Sequence, residues 1–73
     1  MNSFNNLSTL YFTMEGQEEF FKIYSSLPME ERDKVVVVIE REPVSWNLAY
    51  QEIKNNTKNG QKILKMLKAL EII

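Results

Sequence analysis

Five lysines and a glutamine carry the densest chemical signal in this chain. Lys54, Lys58, Lys62, Lys65 and Lys68 fall in the last twenty residues, opposed there only by Glu71. At 100° per residue, Lys58, Lys62, Lys65 and Lys68 lie on one side of a helix, with Gln61 between them. Ile63, Leu64, Met66, Leu67 and Leu70 occupy the other side. Cations in such a row suit phosphate or carboxylate groups, and an amide suits a base edge. Residues 1–53 have the reverse balance, with four cations against nine acids. The chain as a whole is slightly acidic, at net charge −1 and a pI near 5.4. That balance argues against indiscriminate polyanion binding and leaves room for a local positive face.

Other chemistry is thinly represented. The chain has no His and no Cys, so the usual general base near neutral pH, the thiol nucleophile and the commonest zinc ligands are absent. Gly16 and Gly60 alone cannot form a phosphate-cradling loop. Glu30, Glu31 and Asp33 lack the spacing of a calcium loop and read as acids at a helix start. The expectation is a binding or regulatory protein, not an enzyme, with no catalytic residues, no metal and no cofactor. The first six residues carry no basic region of the kind that opens a signal peptide. The longest apolar run, Val35–Ile39, is far too short to span a bilayer. A cytoplasmic protein without membrane association is expected.

The elements that must position the lysines follow from periodicity and punctuation. At 73 residues and 44% hydrophobic content, the chain suits one small domain over 1–73. Residues 7–14 suit either a strand or a short helix. From Gly16 on, Phe20, Phe21, Ile23, Tyr24 and Leu27 share an arc, which predicts a helix over about 16–26. Pro28 ends it and, with Glu30 and Glu31 behind it, opens a second helix. The run Val35–Ile39 can be a strand by its β-branched side chains or a helix buried on all sides. We read 28–40 as helix, because a strand there would leave a single helical turn before it. Ser45 caps a helix over about 45–55, and Thr57 caps the last one, over about 58–72. The fold class expected is mainly α, a small four-helix, helix-turn-helix-like domain. The alternative is α+β, with a two-stranded sheet from 7–14 and 34–40.

Residues 28–73 resemble the helical core of the winged helix-turn-helix DNA-binding superfamily. The likeness rests on the aliphatic run Val35–Ile39 and the loop Pro43-Val44-Ser45 ending in a cap. It continues through Leu48-Ala49 with Ile53, the cap Thr57, and the spacing of Ile63, Leu67 and Leu70. Glu71-Ile72-Ile73 stands where the first strand of a wing begins. The sequence departs from the family in three ways. The interval from Ala49 to Thr57 is about two residues longer than the tight family turn. Gly60 sits in the first turn of the last helix, where it costs up to ~1 kcal/mol relative to Ala. No wing follows, so no wing contact to the minor groove is expected.

The resemblance implies a recognition helix in the major groove of DNA. Lys58, Lys62 and Lys65 would then contact phosphate, Gln61 would offer its amide to adenine, and Thr57 would cap the helix and donate to a phosphate. Asn59 projects toward the edge of the apolar arc and suits this role less. One short helix without a wing offers little contact, so a homodimer is implied. Two other classes compete. A lysine stripe also serves as a solvated face or meets an acidic protein, which would make the chain an adaptor or inhibitor without nucleic acid. A structural subunit with no ligand is the third class. Trp46 and Tyr50, four residues apart, read as core aromatics in preference to a base-stacking pair. Phe20, Phe21 and Tyr24 read as core or as a dimer face.

Overall fold

The computed structural model describes residues 16–73, and these form three α-helices and one β-hairpin. Helix α1 spans Gln17–Ser26, a 3-10 turn spans Met29–Glu31, and strands β1 (Val35–Ile39) and β2 (Glu42–Ser45) form the hairpin. Helices α2 (Trp46–Lys54) and α3 (Lys58–Ala69) follow. The result is a small α+β arrangement and not four helices.

The helix expected over 28–40 is therefore corrected. Pro28 does precede a helical turn, but it stands outside it with an extended backbone (φ −60°, ψ 152°). The turn lasts only three residues before the chain extends into β1. Stiff β-branched side chains favour the extended form here, and the isolated turn gains its support from elsewhere. Just after it, the carbonyls of Arg32 and Lys34 accept from the backbone N–H groups of Asn47 (2.9 Å) and Trp46 (3.2 Å). Ser45 Oγ accepts from the N–H of Leu48 at 3.0 Å. Three of the N–H groups that a helix start leaves without partners are thus satisfied, so the turn and Ser45 together cap α2.

The α+β class is the one expected as the alternative, and the strand pairing is described among residues 16–73 only. A strand does cover most of 34–40, and among the described residues its partner is 42–45. Residues 7–14, read as strand or helix, lie outside the described residues. Pairing is antiparallel, with Val35 opposite Ser45, Val37 opposite Val44, Val38 opposite Pro43 and Ile39 opposite Glu42. A bulge at Val36 breaks the alternation, so Val36 and Val37 both lie against the interior while Val35 and Val38 are exposed. The loop Glu40-Arg41 has positive φ at both residues (51° and 73°). This is the two-residue turn that matches sheet twist, made without the Asn or Gly that adopts it freely.

Phe20, Val37, Val44, Ala49, Ile53, Ile63, Leu64 and Leu67 are buried and form the core. Helix α2 ends with Asn56 in the left-handed region (φ 56°), while the N–H of Thr57 bonds to the carbonyl of Glu52 and that of Asn56 to Ile53. The same double bond closes α3, where Glu71 is left-handed and the N–H of Ile72 reaches the carbonyl of Leu67. That closure stops α3 at Ala69, three residues before the expected end, and turns Ile72 and Ile73 back onto the core.

Gly60 has a role the sequence did not disclose. A Cβ at this position would lie 2.5 Å from the carbonyl oxygen of Glu52 and 3.0 Å from Ile53 Cα. Its missing side chain lets the start of α3 close on the end of α2, which outweighs the helix-propensity cost.

Candidate nucleic-acid interface

Helix α3 is held at both ends, and its lysine face follows from that anchoring. At its start Thr57 is the N-cap, and Thr57 Oγ1 accepts from the N–H of Gly60 at 2.9 Å. The same hydroxyl donates to Glu52, at the backbone carbonyl (3.2 Å) and the side-chain carboxylate. Ile63, Leu64 and Leu67 are buried against α2 and the hairpin, which fixes the rotation of the helix. Lys58, Gln61, Lys62, Lys65 and Lys68 are consequently all exposed.

The surroundings of these side chains differ. Lys62 Nζ lies 3.2 Å from Glu40 Oε2 at the hairpin tip. Lys65 and Lys62 border a shallow groove floored by Ile39, Met66 and Ala69. The side chains of Lys58 and Gln61 form no hydrogen bond or ion pair among the described residues. The stem of Lys68 passes the backbone of Gly16 near α1. Asn59 faces the other side of the hairpin tip, beside Glu40, Glu42 and Glu52. The row is thus open at Lys58, Gln61 and Lys65 and neutralised at Lys62. Thr57 has its proton committed to Glu52, so it holds the helix in place with no donor left over for a phosphate.

Sequence reasoning missed Glu40. It lies 22 residues from Lys62, and reading 28–40 as helix gave it no route to α3. Sequence reasoning also left a second cluster unseen. Tyr24 and Tyr50 stack at 4.4 Å between centroids, and the Arg32 guanidinium lies 4.4 Å from the Tyr24 ring. The Tyr24 hydroxyl donates to Asn47 Oδ1 (2.5 Å), and Asn47 Nδ2 donates to Asp33 Oδ1 (2.7 Å). Trp46 stacks on Phe20 at 5.7 Å, and Phe21 meets Tyr50 edge to face. Trp46 and Tyr50 are therefore half-buried members of an aromatic group packed against the core.

Among the described residues, no cluster of three or more acidic, His or Cys side chains is placed to hold a metal ion. No helix among them is long and apolar enough to cross a membrane. Helices α2 and α3 are adjacent and joined by a turn that ends in the cap Thr57. The hairpin, however, precedes that pair, and Val35–Ile39 is not a helix. Comparison with protein-family models, curated proteins and solved structures gives no match.

Proposed function

We propose that this chain is a small DNA-binding regulatory protein of the cytoplasm, dimeric and without enzymatic activity or cofactor, that uses α3 as its recognition helix. The observation that carries the reading is the exposed row Lys58, Gln61, Lys62 and Lys65 on a helix packed against a second helix through a capped turn. A helix of about 10–12 Å diameter fits the major groove, with amide groups meeting base edges and ammonium groups meeting phosphates. Lys58 and Lys65 are ready for phosphate, and Lys62 becomes so once Glu40 moves aside. Each phosphate contact adds about one unit to the slope of log affinity against log salt.

The test is charge reversal. Lys62→Glu with Lys65→Glu should abolish binding to duplex DNA while circular dichroism shows the fold unchanged. Full affinity in that variant would reject α3 as the reading element.

One observation favours a second reading, a protein-interaction module without nucleic acid. Glu40 already occupies Lys62, and the adjoining groove has an apolar floor with lysines on its rim. An acidic, amphipathic segment of another protein would suit that groove. On this reading the same double reversal leaves DNA irrelevant and removes the protein partner.

A further inference from the structure

Asn59 and Gly60 form the dipeptide in which an asparagine side chain is most open to attack by its own backbone, because a following Gly puts no side chain in the way. The Gly60 nitrogen bonds to Asn59 Cγ, the bond from Cγ to Nδ2 breaks, and ammonia leaves with the Gly60 amide proton. Water then opens the five-membered imide to aspartate or isoaspartate. The fold holds this dipeptide for a reason of its own. A Cβ at residue 60 would lie 2.5 Å from the Glu52 carbonyl oxygen, so Gly60 cannot be traded for a residue that hinders the attack. Asn59 is exposed and stands in the first turn of α3, where N–H groups have no intrahelical partner. Left bare, the Gly60 N–H would be available as the nucleophile. Two features close it. The N–H is donated to Thr57 Oγ1 at 2.9 Å, which ties up the proton that must leave. Gly60 is also buried, and Asn59 is held at the helical ψ of about −42°, from which the backbone must rotate before the nitrogen reaches Cγ. Thr57 Oγ1 is itself fixed by donating to the backbone carbonyl (3.2 Å) and the carboxylate of Glu52. One hydroxyl thus joins the end of α2 to the nucleophile.

We propose that Asn59 is a deamidation site gated by the cap of α3. It is inert while Thr57 holds the Gly60 N–H, and it reacts when the first turn of α3 opens on its own. Opening one helical turn costs far less than unfolding the whole chain, so local release sets the rate. The two products alter the molecule differently. Aspartate adds a negative charge beside Glu40, Glu42 and Glu52, which line the same cavity as Asn59. Isoaspartate carries the same charge and also lengthens the backbone by a methylene inside the capped turn. Either product makes the slightly acidic chain one charge more negative. The site needs neither DNA nor a partner, so it stands apart from the function proposed above.

The test is incubation of the full chain at mildly alkaline pH, native and in urea. Conversion at residue 59 is followed by charge-sensitive chromatography and by peptide mapping with mass spectrometry. The unfolded chain should convert at least about tenfold faster than the native protein. Thr57→Val removes the hydroxyl and keeps the shape, so it should speed the native reaction severalfold with the circular dichroism spectrum unchanged. Thr57→Ser keeps the hydroxyl and should stay slow. Tyr24→Phe, which loosens the aromatic cluster instead, should leave the rate at Asn59 unchanged. Equal rates in the native and unfolded chains overturn the proposal, as does a folded Thr57→Val protein that reacts no faster than the wild type. Equal acceleration by Tyr24→Phe overturns it too, since global unfolding is then the gate. If Thr57→Val fails to fold, hydrogen exchange of the wild-type Gly60 amide decides. Exchange faster than that of the amides of Ile63 to Leu67 is expected, and protection equal to theirs overturns the local gate.

Discussion

The two ends of the molecule are built on different terms. Where α1 meets α2, the polar groups around Tyr24 form a connected chain. Tyr24 stacks on Tyr50, receives Arg32 on its ring and passes its hydroxyl to Asn47, which in turn holds Asp33. Where the hairpin meets α3, the contacts are looser. Glu40 and Arg41 take left-handed conformations without Gly or Asn, Val35 and Val38 face outward, and one exposed ion pair joins the tip to the helix. On the proposed function, the difference separates the part that holds the fold from the part that binds. Backbone strain and exposed apolar groups are the features that such a binding surface would carry.

Substitutions can break this contrast, and the largest effect belongs to the aromatic end. Phe20 is fully buried and contacts Phe21, Tyr24 and Trp46. Phe20→Ala should cost about 3–5 kcal/mol and leave the chain largely unfolded, read by thermal denaturation. Gly60→Ala comes next, because its Cβ would collide with the Glu52 carbonyl. It should destabilise by about 1–3 kcal/mol in urea titration, although Ala is the better helix former. Tyr24→Phe removes the donor to Asn47 and should cost about 1 kcal/mol by the same titration.

The hairpin end should respond in the opposite direction. Replacing Glu40-Arg41 by Asn-Gly relieves two left-handed residues and should stabilise the protein by about 1 kcal/mol or more. The smallest effect on stability is expected from Glu40→Gln, under about 1 kcal/mol, since it removes one exposed ion pair. That same change should tighten DNA binding measurably by freeing Lys62. A stability loss comparable to that of Phe20→Ala would show that the tip is structural after all.

How much of this was legible in the sequence follows the same division. The helices around Phe20, Ala49 and Leu64 were readable because their apolar residues recur at helical spacing and their ends carry Gly16, Ser45 and Thr57. The run Val35–Ile39 was not readable, because five contiguous apolar residues carry no period. What decided it was the bonding of Arg32 and Lys34 to the start of α2, twelve or more residues later. Reading it as a helix hid the turn at Glu40, and with it the carboxylate beside Lys62. Gly60 was misjudged for a related reason. Its value lies in the distance to Glu52, which no local pattern shows. The exposure of the lysine row was legible from its own periodicity, whereas its neutralised member was not.

The most direct test of the account is the fluorescence anisotropy of a labelled mixed-sequence DNA duplex, titrated with the protein at about 50 and 200 mM salt. Binding at micromolar or lower protein concentration that weakens steeply at the higher salt is the predicted result. Absence of binding at the lower salt would contradict the proposal and leave the lysine row as a solvated face or a site for an acidic protein.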